Sequence, residues 1–171
     1  MVKIVKELRD QHQTLLKMIS EGADIFDILH LVEDVHHPLE EEALFPLVAA
    51  HPLLKEGGPL CTFFRGMELD INPKASTVSM LKRAYSKGLP APKSYPEFSW
   101  LTESNPLSMP MGEHALSAEI AQALHFMKDR KDDPLYQEFF APLKEEYIRL
   151  LKLHIDKEDG CLFILCEKLL G

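Results

Sequence analysis

Two segments of this chain set a histidine and a glutamate four residues apart and then run on into Leu-Phe. They are HHPLEEEALF at 36–45 and HIDKEDGCLF at 154–163. Residues four apart on a helix differ by about 40° of arc and share one face. Each segment therefore projects an imidazole and a carboxylate together, while its Leu-Phe packs the next turn into a core. Such groups are costly to bury alone, so the fold must bring the two segments to a common place.

Apolar spacing supplies the helices that could do this. Val5, Leu8, Leu15, Leu16 and Ile19 recur at helical intervals from Lys3 to about Ser20, and Glu21-Gly22 reads as the stop. A second helix is expected from Asp24 to about Ala50, with Ile25, Ile28, Leu29, Leu44 and Leu47 inward and Pro38 kinking or widening it. A third fits Ser108 to about Asp129, with His114, Ala118, Ala121 and Leu124 on one face. Asp132-Asp133-Pro134 then reads as a turn with a cap and a first helical position. It opens a fourth helix to about Leu170, with Pro142 bending or breaking it. Four helices point to a bundle.

Between them, from about His51 to Asn105, the pattern breaks into GGP, INP, LPAP, SYPEF and SNP. That length is too great for a structureless loop in a compact domain. The stretch reads as an elaborated insertion between helices two and three, helical over Leu60 to about Leu69 and Ala75 to about Ser86. Cys61, Phe63, Phe64 and Met67 in it either pack it onto the bundle or cover the mouth of a site. At 171 residues the chain is expected to be one domain.

A formal charge of −8 argues against a partner rich in phosphate, such as a nucleic acid. No stretch is apolar enough for a membrane helix, and MVKIVKELRDQHQ does not read as a signal peptide. Cys61, Cys161 and Cys166 form no CxxC pair, and read as reduced thiols in a cytoplasmic protein. Phosphate-loop, dinucleotide, serine-elbow and HExxH motifs are absent.

What remains is the histidine and acid constellation. His12 on helix one and His114 on helix three add an inward imidazole each to His37-Glu41 and His154-Glu158. Four helices giving ligands to one midpoint is how bundle cores hold two metal ions, and imidazole with carboxylate suits iron, manganese or zinc. His36 and Glu40 have the same spacing, rotated by about 100°. Leu44 continues the face of His37 and Glu41, which favours that pair, while a distortion at Pro38 would bring His36 or Glu40 nearer. His30, His51 and His125 read as surface or outlying residues, and Tyr147 shares the stripe of His154 and either caps the site or hydrogen-bonds a ligand there.

HHPLEEEALFP and HIDKEDGCLF, with QHQ near the start and MGEH at 111–114, resemble the hemerythrin-like family over 1–50 and 107–171. The resemblance implies an all-α, up-down four-helix bundle with a long insertion between helices two and three. It implies a non-haem centre of two iron ions, oxo- or hydroxo-bridged, held by His12, His37, Glu41, His114, His154 and Glu158. Glu41 and Glu158 would be the bridges. The implied ligands are dioxygen, peroxide or nitric oxide, with an outside electron donor for any turnover. The oxygen-carrying members have a second histidine four residues after the one on helix three, where this chain has Ala118. An exogenous ligand is then expected at the iron with fewer imidazoles. Two functions follow: binding or sensing of dioxygen or iron, and enzymatic removal of peroxide or nitric oxide. A zinc-bound or metal-free structural bundle is the third.

Overall fold

The computed structural model describes residues 2–55 and 71–171, and not the side chains of 55 and 71–75. The expected helix at 60–69, with Cys61, Phe63, Phe64 and Met67, lies outside the described residues. The described residues are all-helical with no strand, compatible with a helical bundle. None of their helices is long and apolar enough to cross a membrane.

Helix α1 spans Lys3–Ser20. Its end is a Schellman turn: Ala23 N–H donates to Met18 O at 2.9 Å and Gly22 N–H to Ile19 O at 3.2 Å. Gly22 sits at φ 70°, where a side chain would be strained. The Asp24 carboxylate then caps the next helix by accepting from Phe26 N–H at 2.8 Å. That helix, α2, is a continuous run over 25–49. After the short α3 (Pro52–Lys55) come α4 (Ile71–Ser86) and α5 (Ser108–Met127). The last run, α6, covers 136–170, with Asp133 capping its approach through Leu135 N–H at 2.9 Å.

Both α2 and α6 contain wide π turns: His30–His36, Glu40–Leu44, Tyr136–Phe140 and Glu158–Leu162. The first three each end two residues before a proline, at Pro38, Pro46 and Pro142. A proline has no N–H to give and its ring presses on the carbonyl four residues back; a wider turn relieves that pressure. The prolines therefore neither break α2 nor α6. They reset the faces that the helices present.

Two apolar clusters occupy opposite ends of these helices. One gathers Leu15, Ile28, Leu29, Val32, Ile120, Leu124, Phe139, Leu143 and Leu151. The other gathers Val5, Leu8, Leu44, Phe45, Val48, Leu107, Met111, Leu162 and Phe163. Along α1 the order is Leu8, His12, Leu15, and along α2 it is Val32, His36, His37, Glu40, Leu44. Each long helix thus crosses one polar layer between two apolar ends. Leu47, expected inward, is 58% exposed, because the π turn at 40–44 moves Phe45 and Val48 into its place.

Helix α4 docks on the first cluster through Leu81 and Ala84. Thr77 Oγ1 donates to Glu146 at 2.6 Å and the Tyr85 hydroxyl to Glu119 at 2.5 Å. From Gly88 a strap without helix runs lengthwise. Leu89 belongs to the first cluster, while Tyr95, Phe98 and Trp100 pack on the second. Cys166 is a buried thiol, pushed up to about 12 by burial first and by Glu158 next. Cys161 is disulfide-bonded, unlike the reduced thiol expected of it.

Candidate metal centre

Among the described residues, seven side chains in the polar layer form two groups. His37, Glu40, His114 and His154 make the first; His12, His36 and Glu158 make the second. Within each group the candidate ligand atoms all lie within 4.8 Å of one another, and every residue is buried. Four helices supply them: α1 gives His12, α2 gives His36, His37 and Glu40, α5 gives His114, and α6 gives His154 and Glu158.

The two carboxylates stand between the groups. Glu40 turns Oε2 to His114 Nε2 at 3.2 Å and Oε1 to His36 Nε2 at 3.8 Å. Glu158 Oε1 lies 2.7 Å from His154 Nε2, 3.5 Å from His12 Nε2 and 3.9 Å from His36 Nε2. Each therefore reaches both groups. Both are wholly buried, and no oxygen of either has a hydrogen-bond partner. A carboxylate buried in that state costs several kcal/mol or about that unless a cation or a proton compensates it.

The imidazoles are turned the same way throughout, with Nδ1 outward to a polar side chain and Nε2 inward. His12 Nδ1 meets Asp159 at 2.8 Å, His36 Nδ1 meets Gln11 at 2.8 Å and His114 Nδ1 meets Glu41 at 2.8 Å. His37 Nδ1 and His154 Nδ1 face Glu33 and Glu113, each at 3.6 Å. For His12, His36 and His114 the oxygen partner on Nδ1 sets the tautomer and leaves the Nε2 lone pair for a metal, while His37 Nδ1 and His154 Nδ1 make no hydrogen bond. His12 Nε2 and His36 Nε2 face each other at 3.0 Å. With both Nδ1 atoms donating outward, two lone pairs confront each other there, and only a proton or a cation resolves the contact.

Electrostatics agree with that picture. Burial lowers His37 to about 3 and His36 to about 4, so both are neutral near pH 7 and able to ligate. Burial works against a charge on His12, but Asp159 and Glu158 outweigh it and raise the group. Burial, and then Glu158, drives Glu40 well above the ordinary carboxylate range. Glu158 is held well below that range by His154, His12 and His36, against burial. Glu33, pushed up by burial, is brought down to about 2 by His37, Ser117 and Tyr147. Glu40 and the His12–His36 contact are the places where the layer most favours a proton or positive charge. Those are the positions that cations would take.

The outer contacts tie the layer to the rest of the fold. Glu33 accepts from the hydroxyls of Ser117 and Tyr147. Lys157, buried on α6, pairs with Glu113. Arg9 donates to Asp159, the partner of His12. The Tyr95 hydroxyl, from the strap, donates to Glu41. Phe45 stacks on His114 at 5.8 Å and Phe163 on His12 at 5.2 Å, so each Leu-Phe covers one imidazole.

Of the residues named from sequence, His12, His37, His114, His154 and Glu158 fall in the two groups, and Glu41 does not. Glu41 lies one step out, holding His114, and Glu40 takes the position between the groups. His36 is a further member of the second group. His30 is at the surface with Asp34, and Tyr147 binds Glu33. A signal for Glu40 and His36 was present. Counted back from Leu44-Phe45, they stand where Glu158 and His154 stand before Leu162-Phe163. His37 joins the first group in addition, because π turns on both sides of Pro38 allow adjacent residues to point inward.

The groups could hold metal: the orphaned buried atoms are nitrogen and carboxylate oxygen, a donor set suited to iron, manganese or zinc. Compared with protein-family models, curated proteins and solved structures, the chain matches none.

Proposed function

We propose that this chain is a hemerythrin-like four-helix protein that holds two iron ions and binds or senses dioxygen or iron occupancy. The observation that carries the reading is the placement of Glu40 and Glu158, each reaching both histidine groups. His37, His114 and His154 would hold one ion and His12 and His36 the other, with the two glutamates shared. Iron held so supplies reversible one-electron chemistry and open positions for a small ligand.

The chain's own residues prepare that chemistry. Asp159, Gln11 and Glu41 orient His12, His36 and His114, and Glu33 and Glu113 lie near His37 and His154. The apolar clusters above and below keep bulk water from the layer. Cations between the groups would favour the ionised form of Glu40 and balance two buried carboxylates with positive charge. His37 supplies a third imidazole to the first group, which answers the lack of a histidine at Ala118.

The test is metal analysis of the purified protein with absorption spectra before and after dithionite, then after air. Two irons per chain, with near-ultraviolet charge-transfer bands that bleach on reduction and return in air, support the reading. Zinc, or no metal after anaerobic iron reconstitution, ends it. Sustained consumption of peroxide or nitric oxide by the reduced protein replaces binding with enzymatic removal.

A further inference from the structure

A groove of about 530 Å³ lies between α2 and α5, beside the first histidine group. On a measure by which one water needs about 10–15 Å³, it has room for an ion with its water shell. The strap crosses it and is pinned on both sides. Lys93 N–H donates to Gln122 on α5 at 2.9 Å, and the Tyr95 hydroxyl donates to Glu41 on α2. The groove is thus held between fixed walls.

The α2 wall is graded from solvent to interior. The side chain of Asp34 is 66% exposed and Glu42 is exposed as well, Glu33 is 16% exposed and His37 only 3%. The series ends on two unpaired nitrogens, since neither Nδ1 nor Nε2 of His37 has a hydrogen-bond partner. Glu33 stands before them. Its hydrogen bonds from Ser117 and Tyr147 both fall on Oε1, while Oε2 faces His37 Nδ1 at 3.6 Å. Carboxylates at the rim and midway, then imidazole inside, suit a divalent cation that sheds its water by steps. Lys93 on the strap and, when protonated, His125 on α5 oppose these carboxylates, and Glu41 adds another. Ala118 and Ala121 on α5 have only methyl groups, which leave the floor open.

A second space at His37, between α5 and α6, measures about 30 Å³ and has aliphatic walls at Leu116, Ile120, Leu150 and Leu151. A hydrated ion suits neither that size nor that surface.

We propose that the groove is the path by which a hydrated divalent cation enters the layer, gathered at Asp34 and Glu42 and passed by Glu33 to His37. The inference rests on the metal reading above and adds a route to it. Asp34 and Glu42 belong to neither histidine group, so they govern the rate of loading and not the final content.

The probe is cobalt(II), added at low ionic strength to chelator-treated protein. Stopped-flow absorption follows uptake, and metal analysis gives the final content. Asp34→Asn with Glu42→Gln should slow initial uptake about five-fold and leave the final content at the parent value. Added salt should slow the parent more than this variant. Glu21→Gln with Asp129→Asn removes the same charge at exposed positions outside the groove and should load at nearly the parent rate. Ala118→Phe, which narrows the floor, should also load slowly. An unchanged rate in the first variant, an equal slowing in the control pair, or unhindered loading of Ala118→Phe overturns the route and leaves the metal reading standing. A parent chain that takes up no cobalt ends both. A chain that loads cobalt along the groove but takes up no iron ends the iron reading and keeps the route.

Discussion

Glu40 and Glu158 stand against each other in the middle of the molecule, both wholly buried, and after burial itself Glu158 is the main cause that drives Glu40 above the ordinary carboxylate range. Two such acids in a layer of five imidazoles are a poor way to stabilise a bundle. Their arrangement makes sense as a place for positive charge.

The first consequence separates two adjacent residues. Glu40→Ala should cost at least one metal ion per chain, because it removes a donor shared by both groups. Glu41→Ala should keep both ions but weaken binding by about 10–100-fold, since Glu41 only orients His114. Metal-to-protein ratios after dialysis against graded chelator distinguish the two. Equal loss in both variants would contradict the assignment.

Stability should move the other way in the metal-free protein. Glu40→Met replaces an unsatisfied buried acid by an apolar side chain of similar reach. The metal-free chain should gain about 1–3 kcal/mol in urea unfolding. The same variant should lose most of the rise in melting temperature that metal confers on the parent. For a site filled at about 100 times its dissociation constant that rise corresponds to about 2.7 kcal/mol.

Much of this fold was legible in the chain. The helical class follows from apolar spacing, and the end of α1 from Gly22, which only a left-handed turn explains. The polar layer was legible as two His-Glu pairs ahead of Leu-Phe. The spacing leaves two registers for α2, with the face of Leu44 favouring His37 and Glu41 and a distortion at Pro38 favouring His36 and Glu40, and it does not place the π turns that decide between them. Four π turns change which neighbours share a face, so Glu40 displaces Glu41 and Phe45 displaces Leu47. The strap was beyond sequence reading for another reason. Tyr95 reaches Glu41 through tertiary packing, and no periodicity announces such a contact.

Tyr95→Phe tests that reach. Loss of the hydroxyl should cost about 1 kcal/mol, more if Glu41 is left without compensation. Amide exchange should quicken over 93–98, and metal content should stay near the parent value. Unchanged exchange there would show that packing of Phe98 and Trp100 alone holds the strap.

The anchor of α4 carries a pH dependence. Glu146 is held below its ordinary 4.5, first by Arg149 and then, against burial, by Thr77. A depressed carboxyl contributes stability above its unfolded pKa and loses it as pH falls through the folded one. Protection of 76–86 from amide exchange should therefore fall on acidification below about pH 4.5. Glu146→Gln should show weaker protection already at pH 7 and little further change.

The polar layer also divides the molecule lengthwise. Each long helix enters one apolar cluster, crosses a stratum of charge and enters another, so neither cluster's packing directly restrains the other. With the layer unbridged, the two ends are joined by helix backbone, the strap and the contacts of Glu33, Glu41 and Asp159, and they are expected to open more independently. A cation pair clasped by four helices at mid-height would couple the two units into one and make unfolding all-or-none.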